Sequence, residues 1–176
     1  CILAALQART RTGRGQKVEV SLFNTSLSML VNVASNYLVG GDIPARYGNG
    51  HPNIVPYSDY RCGSGEIALA VGNDAQFAKF AGLVSHPEWA EDDRFKTNAG
   101  RVTHRGAIDA LIIDALAAKS AEDWIKLFEG VGIPCTKVNP VNEALDSPQA
   151  QANDMVVTMD HPSSGPVKAL GIPYTF

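Results

Sequence analysis

The sequence has few of the residues that cross-link small proteins or hold metals. Its cysteines are an odd number at wide spacing, Cys1, Cys62 and Cys135. That spacing argues against a disulfide framework and is typical of a chain kept reduced in the cytoplasm. The four histidines stand far apart, and none is paired with a Cys or another His at ligand spacing. We therefore expect free thiols and no metal site.

An excess of positive charge and a long apolar run are missing as well. The net charge of −3 argues against a bulk affinity for nucleic acid or anionic membranes. No apolar run approaches the roughly 20 residues that a membrane-spanning helix needs. With 45% hydrophobic and 19% charged residues in 176, the composition is that of a soluble globular protein. We predict a cytoplasmic protein with neither nucleic-acid nor membrane partners.

The first forty residues predict a helix, a strand and a helix. Apolar residues within 1–9 lie on one helical face, and the turn 10–16 then ends that helix with two glycines. KVEVSL (17–22) alternates apolar and polar residues, which is typical of a half-buried strand. From 27 to 41, apolar residues recur at helical spacing until two glycines stop them.

After residue 41 the sequence predicts an irregular loop and then a pair of strands. Residues 42–56 hold three prolines and two glycines, and we predict a long loop there. YSDYRC (57–62) and EIALAV (66–71) flank the turn GSG (63–65), and this arrangement predicts a β-hairpin.

Three helix signals and a second hairpin complete the chain. GND (72–74) predicts the capped start of a helix, and 102–116 predicts a long amphipathic helix. SAED (120–123) has the form of a capping box before a further helix. MVVTMDHP (155–162) and GPVKALG (165–171) predict a closing hairpin.

Both ends of the chain lie within predicted elements. CILAALQART has no Met and no helix cap, and GIPYTF stops in an extended segment. We therefore expect a fragment of a longer protein, with an apolar face left open and association with other chains as the result. The residues expected on that face are Ile2, Leu6, Val18, Val20, Leu27 and Leu30.

Six stretches, in this order, resemble class III CoA transferases, and together they span nearly the whole chain. They are ILAAL (2–6), TGRGQKVEVSLFN (12–24), RYGNGHPNIVPY (46–57), IALAVGNDAQF (67–77), RFKTNAGRV (94–102) and GIPCTKVN (132–139). This family includes formyl-CoA transferase and α-methylacyl-CoA racemase.

The resemblance implies an α/β fold in two parts. Residues 1–41 would be a helix-strand-helix piece of an incomplete Rossmann-like large domain, and 57–176 a small α/β domain. The loop 42–56 would connect them. Family members are homodimers whose two chains interlock as linked rings, so a homodimer is expected for the complete protein.

The resemblance also implies a chemistry. In the transferases an Asp attacks the acyl-CoA thioester, and a mixed anhydride and then an aspartyl-CoA thioester form before CoA passes to the acceptor acid. That Asp lies shortly before the ILAAL stretch in the family, so we name no catalytic residue in this chain. Acyl-CoA and CoA would be substrates, and no permanently bound cofactor is implied.

Two segments could still border a substrate. The resemblance matches Gly48, Asn49, Gly50 and His51 to a mobile glycine loop that covers the thioester, where glycine lets backbone N–H groups approach an acyl group. The alternative is a rigid proline-rich linker. Asp74 lies near the position of a proton-transferring Glu in the racemases.

The same residues also fit simpler interpretations and other functions. The plainer interpretation of the second segment is that Asn73 or Asp74 caps a helix. We assign Arg101, His104 and Arg105 to the solvent-exposed face of a helix. A fragment of an acyl-CoA racemase and a non-catalytic dimerisation or regulatory module remain the alternatives to a transferase.

Overall fold

The computed structural model describes residues 1–174, and the chain divides into two compact units, 1–46 and 47–176. The division falls within the segment predicted as a loop.

The first unit consists of helices without a buried side. They are α1 (Ile2–Thr12), α2 (Leu22–Ser28) and α3 (Val31–Gly40). Helix α1 ends as predicted, at Gly13, which has a φ of 68° and donates its N–H to the Arg9 carbonyl. The Ser21 hydroxyl caps α2 by accepting from the Asn24 amide at 3.4 Å. No residue of these three helices is buried.

The predicted strand at 17–22 is wrong. Residues 14–21 form no regular element, and Leu22 already begins α2. A strand needs a neighbouring backbone to pair with its N–H and C=O groups, and none of the strand pairs formed by residues 1–174 involves this segment. Instead of one helix over 27–41, the structure has α2 and α3, which are separated at Met29 and Leu30.

The second unit is built on a small antiparallel sheet. Strands β1 (Tyr57–Arg61) and β2 (Glu66–Ala70) form the predicted hairpin, and β3 (Cys135–Lys137) pairs with the other edge of β2. Across the three strands, Asp59 lies opposite Ala68, and Ala68 lies opposite Thr136.

Helices and a second hairpin follow the first two strands. They are α4 (Asp74–Leu83), a 3₁₀ helix (Pro87–Ala90), α5 (Asn98–Thr103), α6 (Arg105–Leu116), α7 (Ala121–Glu129), α8 (Val141–Leu145), α9 (Pro148–Ala152), β4 (Val156–His161) and β5 (Gly165–Leu170). Antiparallel pairing of β4 with β5 confirms the closing hairpin. The caps are also confirmed, because Asn73 accepts from the Gln76 amide and Ser120 from the Asp123 amide.

The long helix predicted from 102 is interrupted. Helix α5 starts earlier than expected because the Thr97 hydroxyl accepts from the Gly100 amide at 3.1 Å and caps it. His104 leaves the helical conformation, with φ −105° and ψ 27°, and α6 begins after it.

Only one face of the three-stranded sheet packs on the core. Ile67 and Leu69 are buried beneath the helices, whereas Ala68, which points the other way, is exposed. At the centre of the core, the Phe128 ring lies 5.4 Å from Trp124 and 5.5 Å from Phe80, centroid to centroid. The opposite sheet face is left open.

Candidate functional site

The predicted substrate loop begins with a tight turn. Residues 47–50 close it through a hydrogen bond from the Gly50 N–H to the Tyr47 carbonyl at 2.9 Å. Gly48 has a φ of 60°, a conformation that favours glycine. After the turn, the His51 N–H donates to the Tyr57 carbonyl at 2.8 Å, which attaches the loop to the start of β1.

Asn49 connects this turn to the sheet. Its side-chain amide donates to Asp59 Oδ2 at 3.0 Å. This hydrogen bond is the largest of the effects that hold the pKa of Asp59 below its ordinary value; a bond from Ser58 adds to it, and partial desolvation opposes it. The Asp59 carboxylate is therefore ionised at neutral pH and accepts from the turn.

His51 is held in one orientation. Its Nδ1 atom accepts from the Asn53 N–H at 3.1 Å. The ring stacks on Tyr57 with centroids 5.2 Å apart and planes 21° from parallel. The histidine is thus fixed against the start of β1.

The backbone after the turn is bound by side chains from α5 and α6. One terminal nitrogen of Arg105 donates to the carbonyls of His51 and Pro52, at 2.7 and 3.1 Å. The Asn98 side chain donates to the Asn53 carbonyl at 2.8 Å and accepts from the Val55 N–H at 3.2 Å. Residues 51–55 are therefore a well-anchored segment.

The prediction that Arg101 lies on a solvent-exposed helix face is wrong. Its side chain is 0% exposed. It donates to the Val55 and Phe95 carbonyls, both at 2.7 Å, and to Asp74 Oδ1 at 2.8 Å, with its guanidinium over the Phe77 ring. Desolvation lowers the pKa of Arg101 and Asp74 opposes that effect, but an arginine remains a cation.

The prediction of a solvent-exposed position is wrong for Arg105 as well, since its side chain is half-buried against the loop. His104 is exposed and lies at the helix break, with Nδ1 2.9 Å from the Gly100 carbonyl oxygen.

Asp74 has a structural partner. Asn73 is the N-cap of α4 and Asp74 is the first helical residue, where a negative charge is favourable. Its half-exposed carboxylate is the counter-ion of Arg101. The racemase-type role of Asp74 stays a prediction, and this geometry supports the plainer interpretation.

The open face of the sheet forms a concavity of about 640 Å³. Asn49 brings the predicted loop into its wall, and Asp59 and Tyr57 border it from β1. Sequence reasoning did not select Asp59. The alternation in YSDYR was a usable signal, because it places Asp59 on the face opposite the buried Tyr60.

The internal cysteines are poor nucleophiles. Desolvation raises the pKa of Cys135 to about 12 and also raises the pKa of Cys62. Both thiols are protonated at neutral pH.

Residues 1–174 contain no cluster of three or more His, Cys, Asp or Glu side chains that could hold a metal ion. Nor does any helix in this range have the length and apolarity needed to cross a bilayer.

Comparison with known proteins identifies the family. The family model for CoA-transferase family III matches residues 1–176, and the chain belongs to that family. An acyl-CoA transferase of Fusarium pseudograminearum is 39% identical over 97% of this chain and 38% of its own length. The succinyl-CoA:glutarate CoA-transferase of Mus musculus is 32% identical over 97% and 39%.

A solved structure agrees with this result. A CAIB/BAIF family protein from Brucella suis superimposes with a TM-score of 0.76 at 37% identity, over 99% of this chain and 45% of the other. The α/β fold is therefore that of a CoA-transferase family III segment. The chain spans about two fifths of the length of these curated relatives.

Proposed function

We propose that the protein containing this chain is a CoA transferase, which moves CoA from an acyl-CoA to a carboxylic acid. The observation that carries the proposal is the family match over residues 1–176, together with transferase relatives that align with nearly all of the chain. In this proposal the 176 residues supply scaffold and one border of the site.

The reaction proceeds through an aspartyl-CoA thioester. An Asp outside these residues attacks the thioester carbonyl, the C–S bond breaks, and CoA leaves as a thiolate. The thiolate attacks the Asp carbonyl of the mixed anhydride and releases the donor acid. The acceptor carboxylate then attacks the aspartyl-CoA thioester, and the released CoA thiolate attacks the acyl carbonyl of the new anhydride and regenerates the Asp.

The turn with Gly48, Asn49 and Gly50 covers the reacting thioester in this proposal, and His51 marks where it joins the fixed part of the loop. The φ of 60° at Gly48 and the exposed Asn49–Asp59 contact support this role. We extend the proposal to a homodimer working in the cytoplasm, with acyl-CoA and acids as its small-molecule partners. We also retain the division into 1–41, 42–56 and 57–176.

The racemase alternative is less well supported. Proton transfer at a substrate carbon needs a carboxylate at hydrogen-bond distance from that carbon's proton, and Asp74 is engaged with Arg101. No observation favours a purely regulatory module.

The test uses the complete reading frame that encodes this chain. Succinyl-CoA as donor and glutarate as acceptor are suitable first probes, because a relative is named for that pair. We expect glutaryl-CoA by liquid chromatography, and no turnover by the 176 residues alone. Deuterium uptake at the α-carbon of a chiral acyl-CoA without an acceptor acid would indicate a racemase instead. Turnover by the isolated chain would overturn the placement of the Asp outside it.

A further inference from the structure

The loop is held by side chains from the adjoining helices α5 and α6. Asn98, Arg101 and Arg105 are three and four residues apart, and each donates to backbone carbonyls between residues 51 and 55. Asn98 and Arg101 lie one turn apart on α5, and Arg105 is the first residue of α6, directly after the break at His104. The bonds cross more than forty residues of sequence, so they join the loop to a remote part of the chain.

The clamp is itself rigidly supported. Arg101 is buried, and its other donors are occupied by the Phe95 carbonyl and by Asp74 at the start of α4. A guanidinium presents its donors in a planar fork, so fixing two of them also fixes the third. Arg101 therefore holds the Val55 carbonyl in one place relative to the core.

The turn before this segment is attached differently. Within 47–50, the Gly50 N–H donates to the Tyr47 carbonyl, and Asn49 donates to Asp59 at the surface. The Arg105 guanidinium also lies 5.8 Å from the centroid of the Tyr47 ring, so residues 48–50 are the part of the turn that α5 and α6 leave unattached. Exposed hydrogen bonds open at lower free energy than buried ones. Among the bonds to residues 51–55, the one from Arg101 is buried and those from Arg105 are part-buried, whereas the Asn98–Asn53 bond is exposed. The two halves of the loop therefore differ in how firmly they are bound chiefly through the two arginines.

We propose that Asn98, Arg101 and Arg105 form a positioning clamp that fixes residues 51–55, so that residues 48–50 of the turn alone open and close over the substrate. This inference rests on the proposed transferase function. The three are positioning residues, since they act through the loop backbone and touch no reacting atom. The clamp would let a short turn move without displacing the sheet on which it closes.

The first test measures hydrogen exchange in the complete protein, with each variant read at an amide that its side chain does not touch. Arg105→Met is read at the Val55 amide, which is bonded to Asn98, and Asn98→Ala at the His51 amide, which is bonded to Tyr57. We expect ten- to hundredfold faster exchange at these amides. The Ala70 amide, bonded to the Pro134 carbonyl, should keep its rate.

Arg94→Met is the matched control, because this arginine is exposed and pairs with Asp92 beside it in the chain. It should leave the exchange rates of the Val55 and His51 amides unchanged. Equal acceleration at Val55, His51 and Ala70 would mean general destabilisation and would overturn the clamp.

The second test is kinetic. Asn98→Ala and Arg105→Met should lower kcat about tenfold or more and change the KM for the acyl-CoA less than threefold. Arg105→Lys, which keeps a cationic donor, should recover part of kcat. A freed loop with unchanged kcat would refute the positioning role. If the wild-type protein transfers no CoA, the proposed function fails, while the exchange data still decide whether the clamp orders the loop.

Discussion

The two compact units use apolar residues in opposite ways. In the first, Phe23 of α2 is 69% exposed; in the second, Phe128 of α7 is 0% exposed. Both stand in helices whose N-caps are serines, so local signals do not separate them. An apolar pattern indicates which side of a helix is stabilised by burial. Burial also requires a second surface that covers that side.

We expect the largest effect on the association state. The 176-residue chain should form oligomers at micromolar concentration, because its first unit exposes the apolar face that the sequence predicts, with Ile2 and Val20 both 69% exposed. Light scattering measures the mass. Val20→Ser should lower it, and Ile113→Ser on α6 is the control. A monodisperse monomer at all concentrations would contradict this.

A matched pair of phenylalanines then tests the contrast in burial. Phe128→Ala should lower the free energy of unfolding by about 3–5 kcal/mol, because it opens a cavity between Trp124 and Phe80. Phe23→Ala should change it by less than about 0.5 kcal/mol. Urea titration followed by circular dichroism, which reports the helices of both units, measures both. Equal losses would show that the first unit has a core of its own.

A matched pair of arginines tests burial of charge within the second unit. Arg101→Met should cost roughly 2–3 kcal/mol, because each buried acceptor that loses its donor costs about 1–3 kcal/mol. Arg94→Met, at an exposed ion pair, should leave the unfolding midpoint unchanged. The same titration measures both variants, and an unchanged midpoint for Arg101→Met would contradict the buried network.

The two serine caps allow a smaller comparison. Ser120→Ala should destabilise the second unit by about 1 kcal/mol, because α7 packs into the core. Ser21→Ala should leave that transition unchanged, since no residue of α2 is buried. Thermal unfolding detects the first, and a shift of the same size for the second would contradict the comparison.

The smallest effect concerns the turn. Asn49→Ala should raise the pKa of Asp59 toward its ordinary value, since the Asn49 bond contributes most to lowering it. A carboxylate whose pKa is lowered in the folded state stabilises the folded protein at pH values above the ordinary pKa of that carboxylate. This stabilisation is lost as the pH falls through the pKa of the folded state. A carbon-detected NMR titration measures the shift. Ser58→Ala should move the pKa less, and a larger effect there would reverse the ranking.

The hairpin at 57–71 and the caps at Asn73 and Ser120 were predictable because their causes lie within a few residues of each other. The strand at 17–22 was not, because its alternation needs a partner strand that residues 1–174 do not provide. The proline-rich loop was located correctly, but its attachment to Asn98, Arg101 and Arg105 was missed. Those bonds span more than forty residues, and no local pattern reports them.

By itself, the sequence determined the family resemblance, the order of turns and caps, and the apolar stripe of the first unit, because each depends on residue type and short spacing. Tertiary structure decided that Arg101 is buried, that Asp74 is its counter-ion and that Asn49 donates a hydrogen bond to Asp59. These outcomes depend on which surfaces meet, since a buried cation is stable only where the folded chain brings enough acceptors around it.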